Sequence, residues 1–370
     1  MKYYIIAGEA SGDLHGSNLM KAIFEEDKDA DIRFWGGDLM QSVGGTLVTH
    51  YKERSFMGFA EVIMNLKTIL GFIKFCKKDI EKFHPDVIIF IDNSGFNLRI
   101  AKWAKEKDFK THYYISPQVW ASRAGRVKKI KRDVDVMYTI LPFEKAFYKT
   151  YEYDVHFVGH PLIDAVSNRA LIDETDFREQ HQLSYKPIIA ILPGSRKQEI
   201  KKMLDVMLSV VDDFADYQFV IAGAPSQEFS FYQSIIQSRD IAFVDNKTYD
   251  LLSISFAALV TSGTATLETA LFKVPQVVCY KANAISYQIA KRIITLKFIS
   301  LVNLIMDREV VTELIQHDLN TKRLKKELST ILNPEKREQL YLDYYELEQK
   351  LGGKGASKKT AKLIYDAIKN

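Results

Sequence analysis

Several short stretches of this chain carry side chains able to do chemistry. Ser262-Gly263-Thr264-Ala265-Thr266-Leu267-Glu268 follows an apolar run, Phe256–Val260, and leads into Thr269-Ala270-Leu271-Phe272. Small residues between a strand and a helix start leave backbone N–H groups and the positive helix end open to an anion, most often a phosphate. Glu268, one turn on, is placed to accept from ribose hydroxyls. The same residues also suit a plain capped turn. Pro193-Gly194-Ser195-Arg196 stands after the apolar run Ile188–Leu192 and before residues with helical spacing, Ile200, Leu204, Leu208 and Val211. A guanidinium there can bridge diphosphate oxygens, or can be a surface arginine in a turn. Asp92 follows the strand-like Val87–Ile91. A carboxylate at that end of a parallel strand is a candidate general base, or a turn cap. Glu9 and His15, in the glycine-punctuated turn Gly8-Glu9-Ala10-Ser11-Gly12-Asp13-Leu14-His15-Gly16, are rival bases.

The elements that must position these residues alternate along the chain. Strand-like runs at Tyr3–Ala7, Ile32–Trp35, Val87–Ile91, Thr111–Ile115, Val134–Ile140 and Val155–Val158 are separated by helical patterns at Ser17–Glu26, Met57–Lys82 and Asn97–Lys107. The alternation pauses near Gly159-His160-Pro161, and a second series runs from Pro187–Leu192 to Gln276–Tyr280. This predicts an α/β chain of two doubly wound halves, with ligands outside the carboxyl ends of the strands and a cleft between the halves. A Lys-, Glu- and Leu-rich tail reads as helix, interrupted at Gly352-Gly353-Lys354-Gly355.

Composition narrows the possibilities. The 370 residues carry a net charge of +4, too little by itself for a nucleic-acid binder. The N-terminal run is too short for a signal peptide, and no stretch is long and apolar enough for a membrane span. Cys76 and Cys279 stand in no metal or redox spacing, which fits a reducing cytosol. The Asp133-Val134-Asp135 triplet falls at the start of a strand, and Gly159 and Pro161 break any helix that would align His156 with His160. No metal is expected. The first turn lacks both the dinucleotide glycine pattern and the phosphate-loop Gly-Lys pair.

Two surfaces remain. Arg123, Arg126, Lys128, Lys129, Lys131 and Arg132 crowd one short stretch with no acid among them. They suit a phosphate or an anionic headgroup, or a solvated helix face with Val127, Ile130 and Val134 inward; no RNA-binding motif accompanies them. In Phe56–Phe75, Phe59, Val62, Ile63, Leu66, Ile69, Leu70, Phe72 and Ile73 make a broad apolar band flanked by Lys67, Lys74, Lys77 and Lys78. It suits a membrane surface or acyl chains, or burial between sheet and neighbour.

The motifs together resemble the lipid-A-disaccharide synthase family. Gly8-Glu9-Ala10-Ser11-Gly12-Asp13, Ile91-Asp92 with Gly95-Phe96-Asn97, Ser116-Pro117-Gln118-Val119-Trp120, Leu141-Pro142-Phe143-Glu144, Val158-Gly159-His160-Pro161, Leu192-Pro193-Gly194-Ser195-Arg196 and Ser262–Glu268 occur in the expected order. The resemblance implies a GT-B glycosyltransferase that joins UDP-2,3-diacylglucosamine to 2,3-diacylglucosamine 1-phosphate. The products are a β(1→6) disaccharide phosphate and UDP, with inversion and without a metal or other cofactor. It implies an acceptor- and membrane-facing domain over 1–164, a donor domain over 165–345, and a tail, 346–370, packing back on the first domain.

By the same resemblance Asp92 is the base. Arg196, Ser262, Gly263, Thr264, Thr266, Glu268, Asn303, Glu313 and Gln316 serve the donor. Glu9, Ser11, Gly12, Asp13 and Asn97 form the acceptor loops. Val62, Ile63, Leu66, Ile69, Leu70, Ile73, Arg126 and Lys128 meet acyl chains or the inner leaflet of the cytoplasmic membrane. The implied location is cytoplasmic and peripheral to that membrane, with no nucleic-acid partner and a homodimer left open. Asn93-Ser94 stand where proline is usual, Ser122 where a second Trp is common and Val302 where proline is common. The rival readings are another UDP-sugar enzyme of the same fold, such as an epimerase, and a non-catalytic membrane-associated binder of nucleotide sugars.

Overall fold

The computed structural model describes residues 1–54, 66–122, 124–237, 239–283 and 297–369. The chain forms two compact units, Met1–Asp164 with Leu351–Asn370, and Ala165–Lys350. The C-terminal division thus falls after Lys350, where the helix Pro334–Lys350 ends.

The first unit is built on parallel strands β1 (Lys2–Ala7), β2 (Asp31–Gly36), β3 (Thr46–His50), β4 (Val87–Ile91), β5 (Thr111–Tyr114), β6 (Val136–Thr139) and β7 (His156–Phe157). Their order is β3-β2-β1-β4-β5-β6-β7. β4 reads Val-Ile-Ile-Phe-Ile and is buried at every position, as a strand covered on both faces must be. The second unit pairs β8 (Ile188–Leu192), β9 (Gln218–Gly223), β10 (Ala242–Asp245), β11 (Ser255–Thr261), β12 (Gln276–Tyr280) and β13 (Glu313–Ile315). The order is β10-β9-β8-β11-β12-β13, again parallel. Each sheet therefore reverses its strand order once, at β1/β4 and at β8/β11. Ligands of open parallel sheets collect at such points.

The first helix, Ala10–Glu26, starts well before the expected Ser17. The glycines read as turn residues lie inside it, as close-packing positions. A Cβ on Gly12 would stand 3.2 Å from the Ala7 Cβ, and one on Gly16 would stand 2.6 Å from the Met40 Sδ. Only Gly8 and Glu9 remain between strand and helix. The helix Ser94–Glu106 likewise begins earlier than Asn97.

The helix Leu66–Phe83 is held by a buried polar chain. Arg33 grips Asp79 with two 2.7 Å bonds, the Tyr4 hydroxyl donates to the same carboxylate, and the Trp35 indole donates to Tyr4. Burial alone would raise the Asp79 pKa, but Arg33 and Tyr4 outweigh it and hold it low. The apolar band on this helix divides. Ile73 is buried, and Ile69 and Phe72 pack on the core of the unit, whereas Leu70 and Phe75 stay about half exposed. Ile73 is therefore a core residue, a correction to its expected membrane role, while Ile69 is only half-buried against that core. Val62, Ile63 and the Leu66 side chain lie outside the described residues.

The tail closes the first unit. Gly352 at φ +90° lies against Gly159 at φ +94°, so close that a Cβ on Gly352 would stand 3.0 Å from the Gly159 Cα. The His160 N–H donates to the Leu351 carbonyl at 2.9 Å. Asp164 caps the last helix, Ala356–Lys369, accepting from the N–H of Gly355 at 2.7 Å and of Ser357 at 3.4 Å. That helix buries Ala356, Thr360, Ala361 and Ile364 and packs on the helix Ala10–Glu26. Loss of a capping side chain costs about 0.5–2 kcal/mol. Asp164→Ala should therefore speed amide exchange in 356–369 by about 3- to 30-fold, with exchange in the second unit unchanged.

Candidate functional site

In the first unit, Asp92 and Asn93 both adopt left-handed backbone, at φ +45° and +41°. Such strain in non-glycine residues persists only where the surroundings over-determine it. Here they do. The Asp92 N–H donates to the Tyr114 carbonyl at 3.2 Å. Its carbonyl accepts from the Asn97 amide at 2.8 Å and from the Tyr113 hydroxyl. Gly8 makes room for Asn93, since a Cβ on it would stand 1.8 Å from the Asn93 Nδ2. The backbone is locked, and the half-buried Asp92 carboxyl is left at the β1/β4 reversal beside Glu9. Burial raises its pKa, the negative charge of Glu9 raises it further, and the Asn93 N–H opposes both. A carboxyl so poised is suited to accept a proton.

The other acceptor-loop candidates separate by role. Glu9 and Ser11 are exposed. Asp13 is buried and fully engaged, accepting from the N–H groups of Gly37, Leu39 and Met40 at 2.7–3.0 Å. It caps the helix Asp38–Val43 and has no ligand role. Gly12 is buried against Ala7. Asn97 is fully buried and donates to the carbonyls of Ile6, Ile91 and Asp92. Its amide N–H₂ positions Asp92, while its buried Oδ1 has no partner among the described residues. His15 is buried, and burial lowers its pKa to about 4, leaving a neutral imidazole.

In the second unit the two expected loops are neighbours, because β8 pairs with β11 in register at Leu192 and Val260. Gly194 at φ +102° turns the first loop and Gly263 at φ +151° the second. A Cβ on Gly263 would meet nothing within 4 Å, so the backbone there faces open space. Among the described residues no side chain caps the helix Thr264–Leu271. Its N-terminus is an available anion site, with Gly263 and Thr264 exposed on it. Arg196 stands at the start of the helix Lys197–Leu208, 79% exposed and 3.0 Å from Glu199. An ion pair that exposed is weak and can be exchanged for a phosphate. Glu268 is half-buried and accepts from the Tyr249 hydroxyl at 3.1 Å. Burial raises its pKa, and the Tyr249 hydrogen bond opposes this.

Three expected donor contacts are instead supports. The Thr266 hydroxyl is buried and bonded to the Gly263 carbonyl at 2.8 Å. Asn303 is fully buried with every polar position used: it accepts from Val310 and Val311 and donates to Val311 and Glu313. Glu313 accepts from the N–H groups of Ile299 and Ser300 and from Asn303, all at 2.9 Å. Together they fix the segment whose Ile299 carbonyl takes the Ser262 hydroxyl at 3.0 Å. Gln316, at φ +55° after β13, keeps a buried amide N–H₂ without a partner and remains able to meet a ligand.

Sequence reading missed Tyr113, Tyr249, Ser226 and Gln227. The last two donate to the Ser195 carbonyl at 3.0 Å and pin the Arg196 loop. No sequence spacing links these residues to their partners; strand order does. On the basic stretch, Val127 and Ile130 are buried while Lys128, Lys129, Lys131 and Arg132 are exposed and Arg126 is half-buried. Arg123 lies outside the described residues.

The family model described as lipid-A-disaccharide synthetase matches residues 3–366. The lipid-A-disaccharide synthase of Syntrophus aciditrophicus is 38% identical over 375 residues, covering 99% of this chain and 97% of that one. The Coxiella burnetii protein of the same name is 33% identical, with 98% of each chain covered. Among solved structures, a UDP-GlcNAc 2-epimerase from Neisseria meningitidis bound to UDP-GlcNAc superposes with TM-score 0.65 at 12% identity, covering all of both chains. The glycotransferase of kitacinnamycin gives 0.63 at 13% identity, covering 99% of this chain and 98% of that one. At such identities these two establish only the fold, two Rossmann-like units of the GT-B type.

The Asp92 environment makes a direct prediction. Glu9→Gln removes a negative neighbour that favours the protonated carboxyl. The Asp92 titration midpoint, followed by carbon-13 NMR, should move to lower pH. An unmoved midpoint would leave burial as the whole cause.

Proposed function

The chain belongs to the lipid-A-disaccharide synthase family, and from that premise we propose how its residues divide the reaction. It is a glycosyltransferase of lipid A biosynthesis acting on lipid A precursors. In our reading the donor is UDP-2,3-diacylglucosamine and the acceptor 2,3-diacylglucosamine 1-phosphate. The acceptor 6-hydroxyl oxygen forms a bond to the donor anomeric carbon as the bond from that carbon to the diphosphate oxygen breaks. Attack opposite the leaving group inverts the anomeric centre. The hydroxyl proton passes to Asp92, and UDP departs with the electron pair.

The observation that carries this reading is the matched pair of sheet reversals. One presents a strained carboxyl with a raised pKa. The other presents an uncapped helix end beside an exposed guanidinium. Inversion needs a base and a means of stabilising the departing diphosphate, and these two sites supply them. Arg196 and the N–H groups at Gly263 and Thr264 meet the charge that grows on UDP, usually the larger catalytic contribution. Glu268 accepts from the ribose, and Gln316 offers a further donor. In this reading the diphosphate charge is met without a metal.

Among the described residues no helix is long and apolar enough to cross a membrane. Substrates with acyl chains still require contact with a bilayer. We assign that contact to exposed Leu70 and Phe75 with Lys67, Lys74 and Lys78, and to the basic face of the helix Val127–Asp133. An apolar patch with a basic margin suits the anionic inner leaflet of the cytoplasmic membrane.

Mixing the two acylated sugars with the protein should release UDP and disaccharide in equal amounts. Reaction of UDP-N-acetylglucosamine while the diacylated donor is untouched would overturn the substrate assignment. Asp92→Asn should lower kcat by about 10²- to 10⁴-fold with UDP affinity unchanged, since general-base catalysis contributes in that range. Equal losses of affinity and rate would remove Asp92 as the base. Excess EDTA should leave the rate unaltered, and a loss restored by added Mg²⁺ would overturn the metal-free scheme.

A further inference from the structure

One buried carboxyl of the first unit, two strands along from Asp92, has no part in the scheme above. Glu144, 1% exposed, opens the helix Glu144–Lys149. Its carboxyl accepts from the N–H groups of Ile140 at 3.2 Å and Leu141 at 3.0 Å, just beyond β6. Burial pushes its pKa up to about 7, against the pull of those two N–H groups. One turn along, the Tyr148 hydroxyl lies 2.6 Å from the Ser116 Oγ. The Trp120 ring meets Phe143 edge-on, with centroids 4.9 Å apart. The Trp120 indole N–H is buried and makes no hydrogen bond of ordinary length. Residues 116–120 are thus tied to 141–148 through a hydroxyl pair and an aromatic contact, on a turn that the Glu144 carboxyl fixes.

The segment so tied begins in strain. Ile115 has φ +66°, a left-handed conformation that a β-branched residue rarely adopts. Its N–H is held by the Tyr138 carbonyl at 3.1 Å. The preceding strand is the one that locks Asp92, through the Tyr114 carbonyl and the Tyr113 hydroxyl. The 116–120 segment therefore leaves the sheet beside the carboxylate, with Gln118 exposed and Trp120 half-buried on it. An amide and an indole suit the hydroxyls and the C–H face of a pyranose.

We propose that Glu144, by fixing the turn and helix that carry Phe143 and Tyr148 against Trp120 and Ser116, is a positioning residue that holds the 115–120 segment as the acceptor-sugar wall of the Asp92 site. This rests on the assignment of the acceptor to the first unit. Removing the carboxyl orphans two buried backbone N–H groups and loosens the turn that carries Phe143 and Tyr148. The donor loops belong to the other unit and are untouched.

The test compares wild type, Glu144→Ala, Glu144→Gln and Tyr148→Phe in the two-sugar assay, with UDP affinity measured by calorimetry. Glu144→Ala should raise the acceptor KM about 10-fold or more while UDP affinity stays within about 2-fold, a shift of that size being about 1.4 kcal/mol. Glu144→Gln should recover most of the loss, because its carbonyl oxygen accepts from the same N–H groups. Tyr148→Phe, a milder change if the alanine variant does not fold, should raise the acceptor KM in the same direction by about 3-fold. An unchanged acceptor KM in the folded variants, equal losses for both substrates, or glutamine no better than alanine would overturn the proposal. A wild type that binds UDP but makes no disaccharide would remove the underlying reading, and the proposal with it.

Discussion

The constraint on which the structure depends is the reversal of strand order in each parallel sheet. On either side of β1/β4 and of β8/β11, the connections lead away in opposite directions across the sheet. Strand-end side chains and helix-start N–H groups there are left facing open space, and chemistry collects where the backbone cannot cover itself. Asp92 and Glu9 occupy one such point. The loops of Arg196 and Gly263 occupy the other.

Holding those loops still takes buried polar groups, and each unit assigns the task to a fully buried asparagine. Asn97 gathers three carbonyls at the ends of β1 and β4. Asn303 uses both amide atoms to fix the segment that accepts the Ser262 hydroxyl. A buried amide left unpaired costs about 1–3 kcal/mol, so each network is firm when complete and costly when broken. The same logic applies to Asp13, Asp164 and Glu313, whose carboxylates are spent on backbone N–H groups. Resemblance groups such supports with the residues that touch ligand, because both are required for one function.

The chemistry-bearing loops were legible in the chain because glycine, serine and a charged residue after a β-branched run have few other uses. The two sheets were legible for a related reason: Val87–Ile91 and Ile188–Leu192 are apolar throughout, as strands buried on both faces must be. Gly12 and Gly16 misled, since a glycine packed tightly within a helix and a glycine in a turn look alike in one dimension. The apolar band around Ile69 and Ile73 misled similarly. Hydrophobicity marks a residue that avoids water, without saying whether a sheet or a lipid provides the shelter.

The sequence by itself determined the fold class and the division into two doubly wound halves, and it named Asp92, Arg196 and Glu268 as charged candidates for the site. Local pattern is enough for these, because strand period, turn chemistry and charge are written within a few neighbouring residues. Only the tertiary structure decided which of the candidates are free to meet a ligand. Asp13, Asn303, Glu313 and the Asn97 amide N–H₂ are taken up by partners brought alongside by strand pairing and loop packing, and Tyr148 meets Ser116 because β5 lies beside β6. A side chain's hydrogen-bonding capacity is set by its type, whereas how much of that capacity is already used depends on distant residues that only folding brings near.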